Sequence, residues 1–179
     1  MKTLIRNAKA IVTCDAQDHV YWNADLLIDG PRILKIGSQL PDPYDEVLDA
    51  SGMFIYPGLI NTHHHFFQTF VRNLKTIDYP NMTVPEWLDK AYRVFQLIND
   101  EVIFYSSLTA MGDLLKHGCT CAFDHQYCYT KSTGKAPVDR QMEAARMLGI
   151  RYHAGRGVNT LPREKGSTIP ENMLETTEE

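Results

Sequence analysis

The chain has 179 residues, 44% hydrophobic and 22% charged, with a formal net charge of −4. That length and composition suit a globular polypeptide of one to one and a half domains and exclude a disordered one. The interspersed charge excludes a phosphate-backbone (nucleic-acid) partner, no apolar run approaches the roughly 18 residues of a membrane span, and no hydrophobic signal core follows Lys2 and Arg6, so a cytoplasmic protein without membrane contact is expected.

Residues 2 to about 49 carry short strands with turn punctuation: Leu4 to Thr13, Asp25 to Ile28, Arg32 to Ile36 and Glu46 to Leu48. Asp29-Gly30-Pro31 lies between two of these runs and marks a hairpin. A small β-unit of this size has only a thin core and edge strands that need partners. From Tyr56 the texture changes to strands alternating with helices, the pattern of parallel α/β architecture. Pro57-Gly58 is a turn signal, and Leu59 to Thr62 reads as a short buried strand running into His63-His64-His65. Helix is expected from Phe66 to Leu74, then an irregular piece through Asp78-Tyr79-Pro80-Asn81, then a helix from about Pro85 to Ile98 with its proline in the first turn. Asn99 caps the next helix, Asp100 and Glu101 suit its positive first turn, and Gly118 closes it after His117. There Tyr105, Leu108, Met111, Leu114 and Leu115 fall at helical spacing and read as core.

Cys119 to Phe123 forms a second parallel strand, Val138 to Leu148 a helix stopped by Gly149, and Ile150 to Gly155 a third strand. The four cysteines read as free thiols in the absence of a secretory signal, and Cys119 and Cys121 share a strand face without being able to bridge readily. A loop from Arg156 to Gly166 leads to a helix beginning near Pro170-Glu171-Asn172. Glu171, Glu175, Glu178 and Glu179 suit the start of that helix, but no apolar second half follows, so the element reads as cut off.

The histidine triplet carries the chemistry. Successive strand side chains face opposite ways, so His63 and His65 share one face and His64 takes the other as a packing residue. Two neutral imidazoles side by side can hold a divalent metal, and imidazole suits zinc, iron or nickel better than magnesium or calcium. A solvated loop or an adventitious nickel-binding tract carries the same residues. Asn61 and Gln68 flank the pair with amides able to orient a side chain or a ligand.

The string Pro-Gly-Leu-Ile-Asn-Thr-His-His-His-Phe-Phe-Gln, ending at Gln68, resembles the first barrel-strand motif of the amidohydrolase superfamily, Pro-Gly-x-x-Asn-x-His-x-His. Within it the chain is similar to the branch of heterocycle aminohydrolases and chlorohydrolases that includes 8-oxoguanine deaminase, isoxanthopterin deaminase and the triazine hydrolases. The resemblance covers essentially the whole chain. Leu-Ile-Arg-Asn-Ala-Lys-Ala-Ile-Val-Thr and Ala-Asp-Leu-Leu-Ile-Asp-Gly-Pro-Arg-Ile-Leu-Lys-Ile-Gly match the small-domain strands, while Gly118 to His125 and Gly149 to Arg156 look like the second and third barrel strands. It implies an α/β fold in which residues 1–55 are the N-terminal strands of a small β-sandwich domain and residues 56–179 the first three β/α units of a (β/α)8 barrel. A closed barrel takes about 250 residues, so the barrel is incomplete and the chain reads as the N-terminal portion of a longer enzyme.

The resemblance further implies that His63 and His65 are two ligands of one divalent metal, zinc with iron as the alternative, at the C-terminal mouth of the first barrel strand. A third histidine, a metal-bound aspartate and the proton-shuttling glutamate and histidine belong to later strands, so no catalytic residue is expected within this chain and the isolated chain is expected to be inactive. The reaction implied is attack by metal-generated hydroxide on the amino-bearing ring carbon of an 8-oxoguanine-, guanine- or pterin-like heterocycle, expelling ammonia. Displacement of chloride or an alkylamine from a triazine is the alternative, and Gln68 favours the guanine-like deaminases. A non-catalytic fragment is the contrasting reading. The cytidine-deaminase zinc pattern, His-x-Glu with Pro-Cys-x-x-Cys, is absent.

Four residues are candidates for substrate contact. The Gln68 amide can face the cavity or stand exposed on its helix; Trp87 can support a flat heterocycle or pack in the core. His125 stands at the mouth of the second strand, lining the cavity or bonded to structure. Arg156 ends the third strand with a fork of donors, for substrate or for a salt bridge under a loop. His19, His117 and His153 read as structural. The partners expected are a small heterocyclic substrate and, for the complete protein, further copies in a homo-oligomer.

Overall fold

The computed structural model describes residues 1–41, 43–74, 81–134 and 136–176. The chain divides into two compact units, Met1–Pro57 and Gly58–Glu179.

The first unit is one mixed sheet of β1 (Lys2–Val12), β2 (Val20–Asp29), β3 (Arg32–Gly37), β4 (Glu46–Asp49) and β5 (Phe54–Ile55). The strand order is β3-β2-β1-β4, with β5 also against β1. The Asp29-Gly30-Pro31 turn joins β2 and β3 as an antiparallel hairpin. Among the described residues these strands form a single layer. β1 is long enough to take β4 beside Thr3 to Arg6 and β5 beside Ala10 and Ile11, so both short strands extend one sheet instead of starting another. Ala8, Ile11, Ala24, Leu26 and Ala50 make the small core. The β1–β2 register shifts between Ile5 and Ala8, where Asn7 has φ of 65°. Buried Asp25 holds that bulge, accepting the Asn7 N–H at 2.9 Å and the Leu40 N–H at 3.3 Å.

The second unit centres on a parallel sheet ordered β6 (Leu59–Asn61), β7 (Cys119–Gln126), β8 (Arg151–Arg156). Its helices are α1 (Val84–Phe95), α2 (Asp100–Lys116) and α3 (Pro137–Leu148). Pro85 sits in the first turn of α1, and the Glu86 carboxylate reaches back to the Thr83 N–H at 2.8 Å. Asn99 starts α2 by accepting the Val102 N–H at 2.9 Å, one of the donors that no helical carbonyl can take. Gly149, with φ of 73°, stops α3 in a left-handed conformation that a Cβ would strain.

β7 sorts its side chains by alternation. Ala122, Asp124 and Gln126 are buried, and Ala122 shares a core cluster with Met111 of α2 and Ala144 and Ala145 of α3. The alternate residues Cys121, Phe123 and His125 occupy the less covered face. A second cluster joins Phe67, Val71, Tyr92, Phe95, Ile98, Ile103 and Cys128. Tyr105, expected in the core, is 56% exposed, because the buried stripe of α2 runs through Ile103, Phe104, Ser107, Ala110 and Met111 and Tyr105 stands off it. Among the described residues no helix is long and apolar enough to cross a membrane.

Three further expectations change. β6 was expected to be buried, yet Leu59 is 62% and Ile60 67% exposed, since β6 is a sheet edge paired only with β7 among the described residues. Phe66 to Leu74, expected as helix, is a 3₁₀ turn over Phe66–Val71. The expected helix near Pro170 is a 3₁₀ turn over Glu171–Met173. Of the irregular piece, 78–80 lie outside the described residues, as do Glu178 and Glu179.

Candidate metal centre

The ladder of β6 stops at Asn61 because the Asn61 side chain competes with it: Oδ1 accepts the His63 N–H at 3.2 Å. The three histidines therefore lie on the segment just past the strand, not on it. They keep the expected division all the same. The His63 and His65 rings meet edge to face with centroids 5.1 Å apart, and their Nε2 atoms stand 3.2 Å apart. His64 packs its ring on Phe66 at 4.6 Å, and its buried Nδ1 has no hydrogen-bond partner among the described residues.

His65 Nδ1 lies 2.8 Å from the His125 carbonyl oxygen. A carbonyl only accepts, so Nδ1 carries the proton and Nε2 keeps its lone pair. Nε2–H of His63 can then donate to it, and a cation can take the place of that proton. Two imidazole nitrogens on one ion at about 2.0–2.1 Å stand roughly 3 Å apart, which the spacing of the pair fits. Burial holds the His65 imidazole below its ordinary pKa, with the nearby His63 and His125 charges adding to the effect against the opposing pull of the His125 carbonyl. Burial, then the charge of His65, likewise lowers that of His64. Neutral imidazole is the ligating form, so both the tautomer and the charge state of His65 suit a metal. Among the described residues no group of three or more His, Cys, Asp or Glu side chains forms a complete metal site.

A cavity of about 400 Å³ opens beside the pair, lined by His63, His64, His65, Gln68, Arg72 and Trp87 among others. Gln68 reaches it with one end of its amide engaged, Nε2 donating to the Tyr127 hydroxyl at 2.6 Å. Trp87 lines the cavity and also meets Phe95 edge-on, so it serves the core and the wall together. His125 has its ring 5.6 Å from that of His65, and its main-chain carbonyl sets the His65 tautomer. Arg156 is held elsewhere: its guanidinium pairs with Glu175, bonds the Gly157 carbonyl at 3.0 Å and lies over the Tyr129 ring at 4.3 Å. Those partners match the salt bridge under a loop that the sequence leaves open.

Tyr127 and Asp124 were not foreseen. Tyr127 is edge-on to both His65 and Phe67 at 5.0 Å, and burial raises its hydroxyl pKa. Both stand beyond Phe123, the expected end of the second strand, and the alternation that selects Phe123 and His125 points on to Tyr127. Gly157 shows how closely this wall is packed. A Cβ there would fall 2.6 Å from His125 Nε2 and from the Tyr127 Cβ.

The amidohydrolase family pattern matches residues 54–179. The chain is 45% identical to hydroxydechloroatrazine ethylaminohydrolase of Pseudomonas sp. strain ADP, covering 98% of this chain and 39% of that protein. It is 32% identical to 8-oxoguanine deaminase of Pseudomonas aeruginosa, covering 99% of this chain and 39% of that protein. The crystal structure of atrazine chlorohydrolase from Arthrobacter aurescens TC1, complexed with zinc, superposes with a TM-score of 0.90 at 29% identity over 98% of this chain and 40% of that one. The chain thus spans about two fifths of the length of the relatives it matches.

Proposed function

The chain belongs to the amidohydrolase family, and from that premise we propose that it supplies two ligands of one divalent metal, zinc with iron as the alternative, to an enzyme that hydrolytically removes an amino or alkylamino group from an aromatic nitrogen heterocycle. In this reading Gly58–Glu179 is the opening part of a (β/α)8 barrel. The observation that carries it is the convergence of the His63 and His65 Nε2 atoms, with the His65 lone pair freed by the His125 carbonyl. His63 and His65 would hold such a cation, and the chemistry it would supply when bound is a lowered pKa for water and so a hydrolytic nucleophile near neutral pH.

The remaining steps fall to side chains. His63 and His65 hold the ion, and the His125 carbonyl keeps His65 in its ligating tautomer. Gln68, fixed by Tyr127, offers the rest of its amide to a heterocycle edge, and Trp87 offers an apolar wall. The further ligands and the proton-shuttling groups come from outside the described residues, so the isolated chain is expected to bind metal weakly and to show no turnover.

Hydroxydechloroatrazine is the first substrate to test, because the ethylaminohydrolase shares 45% of aligned residues with this chain. An oxidised purine or pterin is second, favoured by the Gln68 amide at the cavity. Ethylamine and ammonia release by the native gene product, measured over hydroxydechloroatrazine, 8-oxoguanine, guanine, isoxanthopterin and cytosine, separates the two. Release from none of them defeats the substrate class. The metal is tested apart from turnover: chelator competition should detect zinc binding by the chain, and the His63→Ala/His65→Ala double variant should abolish it. Equal zinc binding by both proteins removes the basis of the proposal.

A further inference from the structure

Asp124 is completely buried, one residue before His125 on β7. Its Oδ1 accepts the Phe66 N–H at 2.6 Å. That N–H is the first after His65 and opens the 3₁₀ turn, where no intrahelical carbonyl can accept it and where the His65 side chain makes no capping bond. Asp124 therefore caps the turn from another strand.

Behind the carboxylate lies a closed set of bonds. Oδ2 accepts from Gln141 Nε2 of α3 at 2.8 Å, and the same amide nitrogen also donates to Gln126 Oε1 at 3.1 Å. Gln141 Oε1 accepts the hydroxyl of Tyr152, on β8, at 2.7 Å, while Gln126 Nε2 donates to the Cys128 carbonyl at 2.7 Å. Each amide has one permitted orientation. The Cys128 carbonyl sets Gln126, Gln126 and Asp124 together set Gln141, and Tyr152 supplies the donor that its oxygen needs. Two more bonds tie the same stretch of β7 to the histidines, His125 N–H to the His64 carbonyl at 2.9 Å and His65 Nδ1 to the His125 carbonyl at 2.8 Å. Three consecutive residues, His64, His65 and Phe66, are thus gripped by two consecutive residues of β7.

We propose that Asp124, oriented by Gln141 and Tyr152, is a positioning residue for the metal pair: by holding the Phe66 N–H it keeps His65 where the His125 carbonyl can fix its ligating tautomer. The inference rests on reading His63 and His65 as metal ligands. A carboxylate is needed here because both of its oxygens face donors. In Asp124→Asn one position becomes a donor opposed to Gln141 Nε2. Turning Gln141 over moves the conflict to Gln126, and turning Gln126 over sets its oxygen against the Cys128 carbonyl.

The test uses the 179-residue chain. In its metal-free form, nitrogen-15 NMR of the His65 ring and hydrogen exchange of the Phe66 amide report the clamp directly, and chelator competition reports zinc affinity. The unsubstituted chain should show the single Nδ1–H tautomer. Asp124→Asn should give mixed tautomers, a Phe66 amide exchanging at least about tenfold faster, and zinc affinity weaker by about ten- to hundredfold, the usual range when a partner behind a ligating histidine is lost. Tyr152→Phe, which keeps the ring and removes only the far donor, should shift all three in the same direction by less. Ile103→Ala, a core truncation in α2, controls for destabilisation and should leave tautomer and zinc affinity unchanged. The proposal is overturned if Asp124→Asn keeps the pure tautomer and full zinc affinity, or if Ile103→Ala loses as much of both. An unsubstituted chain that holds the tautomer but binds no zinc upholds the clamp and refutes the ligand assignment.

Discussion

Two buried aspartates, one in each unit, perform the same local act in different company. Asp25 accepts two main-chain N–H groups, those of Asn7 and Leu40, and so pins a bulge and a loop of the small sheet. Asp124 accepts one main-chain and one side-chain N–H, and the side-chain donor leads through a chain of amides to β8. Burial pushes the Asp124 carboxyl up to about 6, against the lowering effect of the bonds from Phe66 and Gln141. Its charge is therefore held at neutral pH at a cost in stability. The Asp25 carboxylate bonds only the backbone of its own unit, whereas in the proposed role the Asp124 carboxylate serves the neighbouring histidines at a cost to the fold.

Removing the Asp25 carboxylate tests the architectural member. Asp25→Ala leaves two main-chain donors without their acceptor, each worth about 1–3 kcal/mol where water cannot replace it. Chemical denaturation should show a loss of roughly 3–4 kcal/mol with zinc affinity unchanged; a fall in zinc affinity would erase the contrast between the two residues.

A pH series tests the other member. Between the ordinary value of 3.8 and about 6 the folded state keeps the Asp124 proton and the unfolded state has lost it. Fewer protons on the unfolded chain make stability fall as pH rises through that window, and the loss is complete above it. Asp124→Asn cannot titrate, so its stability relative to the unsubstituted chain should rise by up to about 3 kcal/mol from pH 3.5 to pH 7. Parallel curves for the two proteins would show that the charge is held without strain.

The smallest effect calibrates the others. Asn99 makes the same kind of side-chain-to-main-chain bond at the surface, to the Val102 N–H. Asn99→Ala should cost about 1 kcal/mol by thermal unfolding, and a cost equal to that of Asp25→Ala would mean that burial adds nothing.

Much of this was legible in the residues because it is local. The Asn99 cap, the Gly149 stop, Pro85 in a first turn and the Asp29-Gly30-Pro31 hairpin each depend on neighbours a few positions away. The convergence of His63 and His65 was legible too, since it needs only the alternation of two residues, which outlasts the strand itself. Other features were hidden. Leu59 and Ile60 of β6 are as apolar as core residues, and only the sheet order shows that among the described residues they sit at an edge and are exposed. For Arg156 the sequence leaves a substrate contact and a salt bridge under a loop both open, and only the tertiary structure brings Glu175 and the Tyr129 ring to its guanidinium. His125 was chosen for its ring, while its carbonyl makes the contact that sets the His65 tautomer, and every residue type carries a carbonyl.

By itself the sequence determined the starts of α1 and α2 and the stop of α3, that strands alternate with helices after Tyr56, and which two imidazoles converge, since all of these follow from short-range sterics, capping and periodicity. Only the tertiary structure decided which tautomer His65 adopts, what caps the turn after it and which residues line the cavity. The deciding bonds join positions 58 and 60 apart in the chain, and no local pattern encodes which carbonyl or carboxylate will arrive there.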